Sequence, residues 1–226
     1  IAASAAIFCF GQTRPSPVPA PAAKPPVTKD SIIVTGAAEP VPLEEADRAV
    51  RLIRLNDSLR LLSNSIADIL RLDSSIDLRS RAPNAVQADV SIRGGGFGQS
   101  LILLDGMRLN DPQSGHHNLD IPVPLDDVER VEILKGAGSA FHGSDAVGGA
   151  VQLITRQPES TELRLRASVG NFGVNQQSAS LSAPLGRIWQ RLAFSRDFST
   201  GFRDNRDYRN LSLSSTTSAR TRLGTT

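Results

Sequence analysis

From Thr161 onward, apolar and polar residues alternate along the chain. Residues 163–167 read Leu-Arg-Leu-Arg-Ala, which is a period of two. A β-strand places successive side chains on opposite faces, so this period is typical of strands with one apolar and one polar face. The alternation and the turn residues between its stretches predict four strands, at 161–169, 172–183, 188–198 and 211–219.

Four such strands do not make a closed structure. The 226-residue chain has 66 residues after Ser160, and the smallest outer-membrane barrel has about eight strands. An open sheet edge is not tolerated in lipid. We therefore expect the first strands of an antiparallel transmembrane β-barrel that is incomplete in this chain, with a soluble β-sandwich as the alternative. In the barrel interpretation, Arg164 and Arg166 face the lumen.

The middle of the chain predicts an α+β domain over 44–157, a mixed sheet with short helices. Residues 63–72 carry apolar positions on one helical face, and Ser65 with Asp68 resembles a capping box. Glycine-rich turns separate a series of short apolar runs. These runs predict strands at 75–78, 89–93, 101–104, 128–134 and 150–155.

Three glycine clusters, at 93–98, 135–139 and 143–149, invite a phosphate-binding interpretation that their context does not support. The first is followed by a strand, whereas a dinucleotide site needs the N-terminus of a helix there. The second has its lysine before the glycines, and the chain contains no G-x-S-x-G sequence. We therefore expect tight turns at these clusters, and neither a nucleotide site nor a hydrolase that uses His142 and Asp145.

Charge and metal-ligand content exclude other classes. The chain has 25 basic and 23 acidic residues, so nucleic acid is not an expected partner. With one cysteine, a cysteine-ligated zinc site is excluded. His116 and His117 lie in a polar loop. We expect them to be loop residues or ligand contacts and not a metal site, because a metal there would need ligands from elsewhere. The acidic residues between 126 and 132 fit turn and strand positions better than paired acid–base catalysis.

The N-terminus divides into three segments. Residues 1–12 are apolar and precede a run of prolines, which favours the remnant of a secretory signal peptide over a buried helix. Residues 13–29 form a proline-rich linker that is extended and semi-stiff. The β-branched run at 30–36 either adds as a strand to a partner's sheet or is the first strand of the domain itself.

Five segments resemble one family in order and spacing. They read DVSIRG, LLDGMRLND, VERVEILKG, HGSDAVGGAV and ITR, at residues 89–94, 103–111, 128–136, 142–151 and 154–156. On these residues the chain resembles the N-terminal part of TonB-dependent outer-membrane receptors, although Ala137 stands where the family often has proline. The resemblance implies a structural plug motif formed by Arg93, Gly94, Asp105, Gly106, Glu129, Arg130, Glu132, Lys135, Gly136, Gly143, Ser144, Asp145, Gly148 and Gly149.

The resemblance also implies a mechanism. The plug blocks a barrel in the bacterial outer membrane, and the N-terminal segment lies in the periplasm. The inner-membrane TonB-ExbB-ExbD complex, driven by the proton gradient, grips a Ton box by strand addition and opens a path for a scarce ligand. The residues that match the Ton box are Asp30, Ser31, Ile32, Ile33, Val34, Thr35 and Gly36. The family implies a monomer in lipid that is not an enzyme and has no cofactor, although the ligand can contain iron or cobalt.

The short layout before the Ton box is most similar to vitamin B12 (cobalamin) receptors, with ferric siderophore or haem receptors second. Plug loops would supply part of the ligand site. The expected ligand contacts are Gly96, Phe97, Gln99, Ser100, Gln113, Ser114, His116, His117 and Asn118. Two alternatives to transport stay open, a soluble plug-like periplasmic binding module and a non-functional gene fragment.

Overall fold

The computed structural model describes residues 49–157 and 160–221, together with the pairs 31–32, 41–42 and 224–225. The expected signal-peptide remnant and linker lie outside these residues, as do Asp30 and residues 33–36. Ser31–Ile32 (β1) pairs antiparallel with Val41–Pro42 (β2). No helix among the described residues is long and apolar enough to span a membrane.

Residues 49–157, called the plug region here, form short strands and shorter helices in the predicted α+β arrangement. The helices are α1 (Asp57–Leu62), α2 (Ile66–Leu70) and α3 (Ser139–His142). The strands are β3 (Val50–Arg54), β4 (Ile76–Ser80), β5 (Ala88–Ile92), β6 (Ser100–Leu104), β7 (Met107–Arg108), β8 (Val128–Lys135) and β9 (Gly149–Thr155).

The central sheet of the plug region has the order β3-β8-β9-β6-β7. Strands β6 and β9 are parallel and the other pairs are antiparallel, which confirms the mixed sheet. Strands β4 and β5 form a separate hairpin. One face of the sheet packs against the hairpin and α2 in a single apolar core that includes Ile69, Val90, Ile102 and Ile133.

The start of the plug region differs from the prediction. Strand β3 and helix α1, which precede the predicted helix, were not predicted. In contrast, the predicted capping box is present, since the Ser65 backbone N–H donates to Asp68 Oδ2 at 3.1 Å. Helix α1 is capped in another way, because Asn56 Oδ1 accepts from the Leu59 backbone N–H at 2.8 Å.

A second, antiparallel sheet follows in chain order. Its strands are β10 (Glu162–Val169), β11 (Asn175–Leu185), β12 (Ile188–Ser199), β13 (Tyr208–Thr221) and β14 (Gly224–Thr225). The predicted bounds need three corrections. The second predicted strand begins at Asn175, three residues later than expected, because residues 170–174 form the preceding turn. The turn expected at 184–187 is only Gly186–Arg187, because Pro184 and Leu185 still pair with β12. The last predicted strand begins three residues earlier, at Tyr208, where it pairs with Ser199.

The two faces of the second sheet have opposite character. Leu165 and Leu213 are 73% and 79% exposed on the face that points away from the plug region. The other face is polar: Arg166, Ser178, Ser195 and Ser212 lie in one row across four strands. Arg166 donates to Ser63 O at 2.6 Å, so this polar face lies against the plug region.

Arg164 lies on the same polar face as Arg166, two residues earlier in β10. Arg164 Nη2 donates to Glu162 Oε1 at 2.6 Å and its side chain is 26% exposed. The predicted register is therefore correct, since both arginines are on the side that the plug region occupies.

Gly149, at the start of β9, provides a test of this packing. A Cβ at this position would lie 2.3 Å from Leu134 O, and its φ of +150° is rarely adopted by residues with a side chain. Gly149→Ala should therefore lower the free energy of unfolding by about 3 kcal/mol, measured by urea unfolding in detergent. Gly98→Ala is the matched control, because nothing lies within 4 Å of its added methyl group. Equal stability of the two variants would contradict the close approach at Gly149.

Candidate functional site

The two loops expected to contact a ligand lie against each other. The rings of Phe97 and His116 are stacked, with centroids 4.1 Å apart and planes at 28°. Asn118 Nδ2 donates to Phe97 O at 3.1 Å. The backbones also approach each other at Gly115 and Gly98, since a Cβ added to Gly115 would lie 3.3 Å from Gly98 Cα. Loop residues 96–99 and 113–117 therefore form one continuous surface.

Asp89, on β5, holds these loops together. Its Oδ1 accepts from the His117 backbone N–H at 3.0 Å, and its Oδ2 lies 3.0 Å from His116 Nδ1. Burial would raise the pKa of Asp89, but the hydrogen bonds from His117 and His116 outweigh it and lower the pKa. The carboxylate is therefore charged at neutral pH and fixes the orientation of the His116 ring. Sequence reasoning placed Asp89 in a strand but did not identify this role.

The surface presents few side chains to solvent. Gln113 and Ser114 are exposed, while Phe97 and His116 are half-buried. Asp111 shapes the turn that contains Gln113 and Ser114, because its Oδ1 accepts from the Gln113 backbone N–H at 3.0 Å and its Oδ2 accepts from Ser114 Oγ at 2.6 Å. The Ser114 and Gln113 hydrogen bonds lower the pKa of Asp111.

The other predicted contacts are placed to support the loops. Ser100 and Asn118 are buried, so neither can meet a ligand that approaches from solvent. Ser100 Oγ accepts from the Ile92 backbone N–H at 3.2 Å, and Ser100 O accepts from Asn110 Nδ2 at 2.9 Å. Gln99 Oε1 accepts from the Gly96 backbone N–H at 3.1 Å. His117 is half-buried and adopts a φ of +62°.

The plug-motif glycines join three loops through their backbones. Gly136 N donates to Gly148 O at 3.1 Å, and Gly148 N donates to Gln99 O at 2.9 Å. A Cβ on Gly148 would lie 3.2 Å from Gln99 O. Arg93 and Gly94 form the adjoining turn with φ values of +52° and +75°. These glycines therefore serve turns and close backbone contacts.

The remaining motif residues fix loop ends with side-chain contacts. Asp105, at a turn with Gly106, accepts from the Thr155 backbone N–H at 2.8 Å and from Thr155 Oγ1 at 2.6 Å. Arg108 lies 2.9 Å from Asp145 and also donates to His142 O, beside the turn made by Gly143 and Ser144. Each contact joins segments that are far apart in the chain.

Two ion-pair groups involve side chains of strand β8. In the first, Arg130 Nε is 3.0 Å from Glu132 Oε1 and Arg130 Nη1 is 3.3 Å from Glu129 Oε1. In the second, Lys135 Nζ is 2.8 Å from Asp73 Oδ2. Burial alone would raise the pKa of Asp73, but hydrogen bonds from Lys135 and Ser75 outweigh it and lower the pKa to about 2.

A cavity of about 130 Å³, lined by both polar and apolar side chains, lies between the plug region and the second sheet. Asn64, Asp126 and Arg166 are among the side chains that line it. At one end, Asn84 Nδ2 donates to Tyr208 Oη at 3.0 Å. Among the described residues, no group of three or more histidine, cysteine, aspartate or glutamate side chains is arranged to hold a metal ion.

The family follows from these observations together with comparison to known proteins. The model of the TonB-dependent Receptor Plug Domain matches residues 42–150, the region that contains the mixed sheet and the glycine junction. The chain therefore belongs to the TonB-dependent receptors and carries their plug domain, as the sequence motifs predicted.

Two curated relatives are vitamin B12 transporters. The chain is 33% identical over 155 residues to BtuB of Vibrio vulnificus, which covers 69% of this chain and 25% of that protein. It is 25% identical over 177 residues to BtuB of Photobacterium profundum, which covers 77% of this chain and 29% of that protein. The chain thus spans about a quarter of the length of these relatives.

Solved structures of siderophore receptors share the fold. The pyoverdine outer membrane receptor FpvA of Pseudomonas aeruginosa matches with a TM-score of 0.64 at 16% identity, over 83% of this chain and 27% of that one. The siderophore receptor PiuA of Acinetobacter baumannii matches with a TM-score of 0.61 at 22% identity, over 86% and 28%. At these identities the similarity shows a common fold.

The low pKa of Asp73 predicts how stability depends on pH. Because the folded pKa is below the ordinary value of 3.8, the carboxylate stabilises the fold above that pH and the contribution is lost as pH falls toward 2. The stability difference between wild type and Asp73→Asn should therefore shrink by about 2 kcal/mol between pH 5 and pH 2, measured by urea unfolding. The exposed control Ser74→Ala should keep the wild-type pH profile. A constant difference between wild type and Asp73→Asn would contradict the ion pair.

Proposed function

We propose that this chain forms the N-terminal part of a transporter that takes up a scarce ligand, cobalamin or a ferric siderophore, across the bacterial outer membrane. The observation that carries this proposal is a family plug domain seated on the polar face of an antiparallel sheet. In this arrangement the second sheet is part of a barrel wall and the plug gates its lumen.

The two-faced second sheet supports a membrane location. A charged side chain on the lipid face of a barrel costs about 2–4 kcal/mol at midplane. In β10 the leucines take the outward positions and Arg164 and Arg166 the inward ones. A soluble binding module would leave the exposed leucines in water, so the membrane location is favoured over that alternative.

Energy for transport would come through the N-terminal segment. We propose that residues 30–36 bind TonB of the TonB-ExbB-ExbD complex in the periplasm by strand addition. Strand addition relies on backbone donors and acceptors, with alternate side chains providing specificity. The extended backbone of Ser31–Ile32 is compatible with this mode. The segment precedes β3, the first strand of the plug domain, along the chain, so a pull on it would act on the plug.

The ligand would meet the surface built from residues 96–99 and 113–117. Gln113 and Ser114 offer hydrogen-bonding groups, and the Phe97–His116 stack offers a flat face. Cobalamin is the first candidate because the 33%-identical relative is a vitamin B12 transporter. Ferric siderophores are second. Neither candidate requires a bond to be made or broken, so the protein acts as a transporter without catalysis or a cofactor of its own.

Removing one side chain from the exposed turn and one from the ring stack tests the ligand surface. In the full-length receptor, Gln113→Ala with His116→Ala should raise the Kd for the transported ligand about thirtyfold, since two lost hydrogen bonds at about 1 kcal/mol each cost about 2 kcal/mol. Equilibrium binding to purified receptor measures this Kd. Gln157→Ala removes an exposed amide elsewhere and should leave the Kd unchanged. An unchanged Kd in the double variant would remove these loops from the ligand site.

A proline in the Ton box separates energised transport from binding. Ile33→Pro removes a backbone donor needed for strand addition. Uptake of labelled ligand by whole cells should therefore be lost while equilibrium binding to the cell surface is retained. The control Thr28→Pro lies in the proline-rich linker and should transport normally. Normal uptake by the Ile33→Pro variant would exclude this segment as the TonB contact.

A further inference from the structure

Two arginines of the second sheet reach into the plug domain, and they do so differently. Arg166, on β10, donates to Ser63 O at 2.6 Å and to Arg60 O at 3.0 Å. These carbonyls lie at the C-terminal end of α1, where helix carbonyls lack partners within the helix. The positive charge also suits this end of the helix. Arg166 is therefore a well-bonded anchor.

Arg191, on β12, is buried against the plug domain with longer contacts. It is 2% exposed, and its Nε lies 3.8 Å from Oδ2 of Asp127, which is 3% exposed. A second carboxylate, that of Asp105, is 4.0 Å from Nη2. The shorter contact of Arg191 is made within its own sheet, where Nη2 donates to Thr216 Oγ1 at 3.1 Å.

Burial leaves one polar atom of Asp127 and one of Arg191 without a hydrogen bond. Neither Asp127 Oδ2 nor Arg191 Nε has a hydrogen-bond partner. Burial raises the pKa of Asp127, while a hydrogen bond from Ser180 and the charge of Arg191 oppose the rise. Two ions have therefore lost their water without gaining short hydrogen bonds to each other.

A buried ion pair of this kind adds little net stability, because the lost hydration offsets the attraction between the charges. When the two surfaces separate, water returns to both ions and recovers that cost. An apolar pair of similar size recovers nothing on exposure to water, and replacing a buried ion pair with one is often neutral or stabilising. The Arg191–Asp127 pair thus lies between the plug domain and the second sheet when they are packed together, and it adds little to the free energy needed to separate them.

We propose that Arg191 and Asp127 form a release contact, which lets the plug domain leave the second sheet at low cost during transport. Arg191 and Asp127 are positioning residues, because they set how readily the plug moves and do not touch the ligand. This role rests on the proposed transport function.

The test replaces both ions with apolar side chains in the full-length receptor. Arg191→Met with Asp127→Leu should leave the Kd for cobalamin unchanged and lower the uptake rate at saturating cobalamin about tenfold, because separation becomes harder. The matched control is Arg79→Met with Asp77→Leu, an exposed pair 3.4 Å apart, which should transport at the wild-type rate. A wild-type rate in the Arg191/Asp127 double variant overturns the proposal.

A second variant decides the question if the double variant fails to assemble in the membrane. Arg191→Lys keeps the charge but lacks the planar guanidinium, so a release contact should keep uptake within about twofold of wild type. A tenfold loss of uptake with unchanged Kd would identify a geometric anchor and overturn the proposal. Absence of energised uptake in the wild-type receptor would instead refute the proposed function, whatever the variants do.

Discussion

The packing of the plug domain on the polar face of the second sheet is the contact on which the rest of the structure depends. The second sheet has polar residues such as Arg166, Ser178 and Ser195 on one face and leucines on the other. A single sheet has no second layer of its own against which either face could be buried. The plug domain satisfies the polar face, since Arg166 bonds to carbonyls of α1 and Gln176 Nε2 donates to Asn64 O at 3.3 Å. The leucines then point away from the protein.

The plug domain gains its own order from a different constraint, which is close backbone approach. Gly149 lies beside Leu134 O at a distance that excludes a side chain, and Gly148 lies so near Gln99 O that an added Cβ would be crowded. The same glycines set the start of β9 next to β6 and β8. Their density in the sequence resembles a phosphate site, yet their backbone N–H groups are directed to carbonyls of neighbouring loops.

Much of the fold follows from local patterns. The period of two predicted strands β10 to β13 and the face on which Arg164 and Arg166 lie. The capping box predicted helix α2. Strand β3 and helix α1 were missed because their patterns are weak. Leu61 and Leu62 are 82% and 83% exposed while Arg60 is buried, so α1 has no apolar stripe that a sequence pattern could reveal.

The site was predictable only in part. The loops at 96–100 and 113–118 were identified through the family resemblance, and the structure brings them together. The role of Asp89 depends on a contact across 27 residues of chain, and no local signal marks it. The same holds for Arg191 and Asp127, whose pairing depends on how two sheets pack. Burial then distinguishes Ser100 and Asn118, which support the loops, from Gln113 and Ser114, which are exposed.

The most direct test of transport is uptake of labelled cobalamin at nanomolar concentration by cells that lack their own receptor and express the full-length protein. The account predicts uptake above the receptor-free background when TonB is present, and only surface binding when TonB is deleted or the proton gradient is collapsed. A labelled ferric siderophore in the same cells separates the two ligand classes. Uptake that is equal with and without TonB, or no uptake of either ligand, would contradict the account.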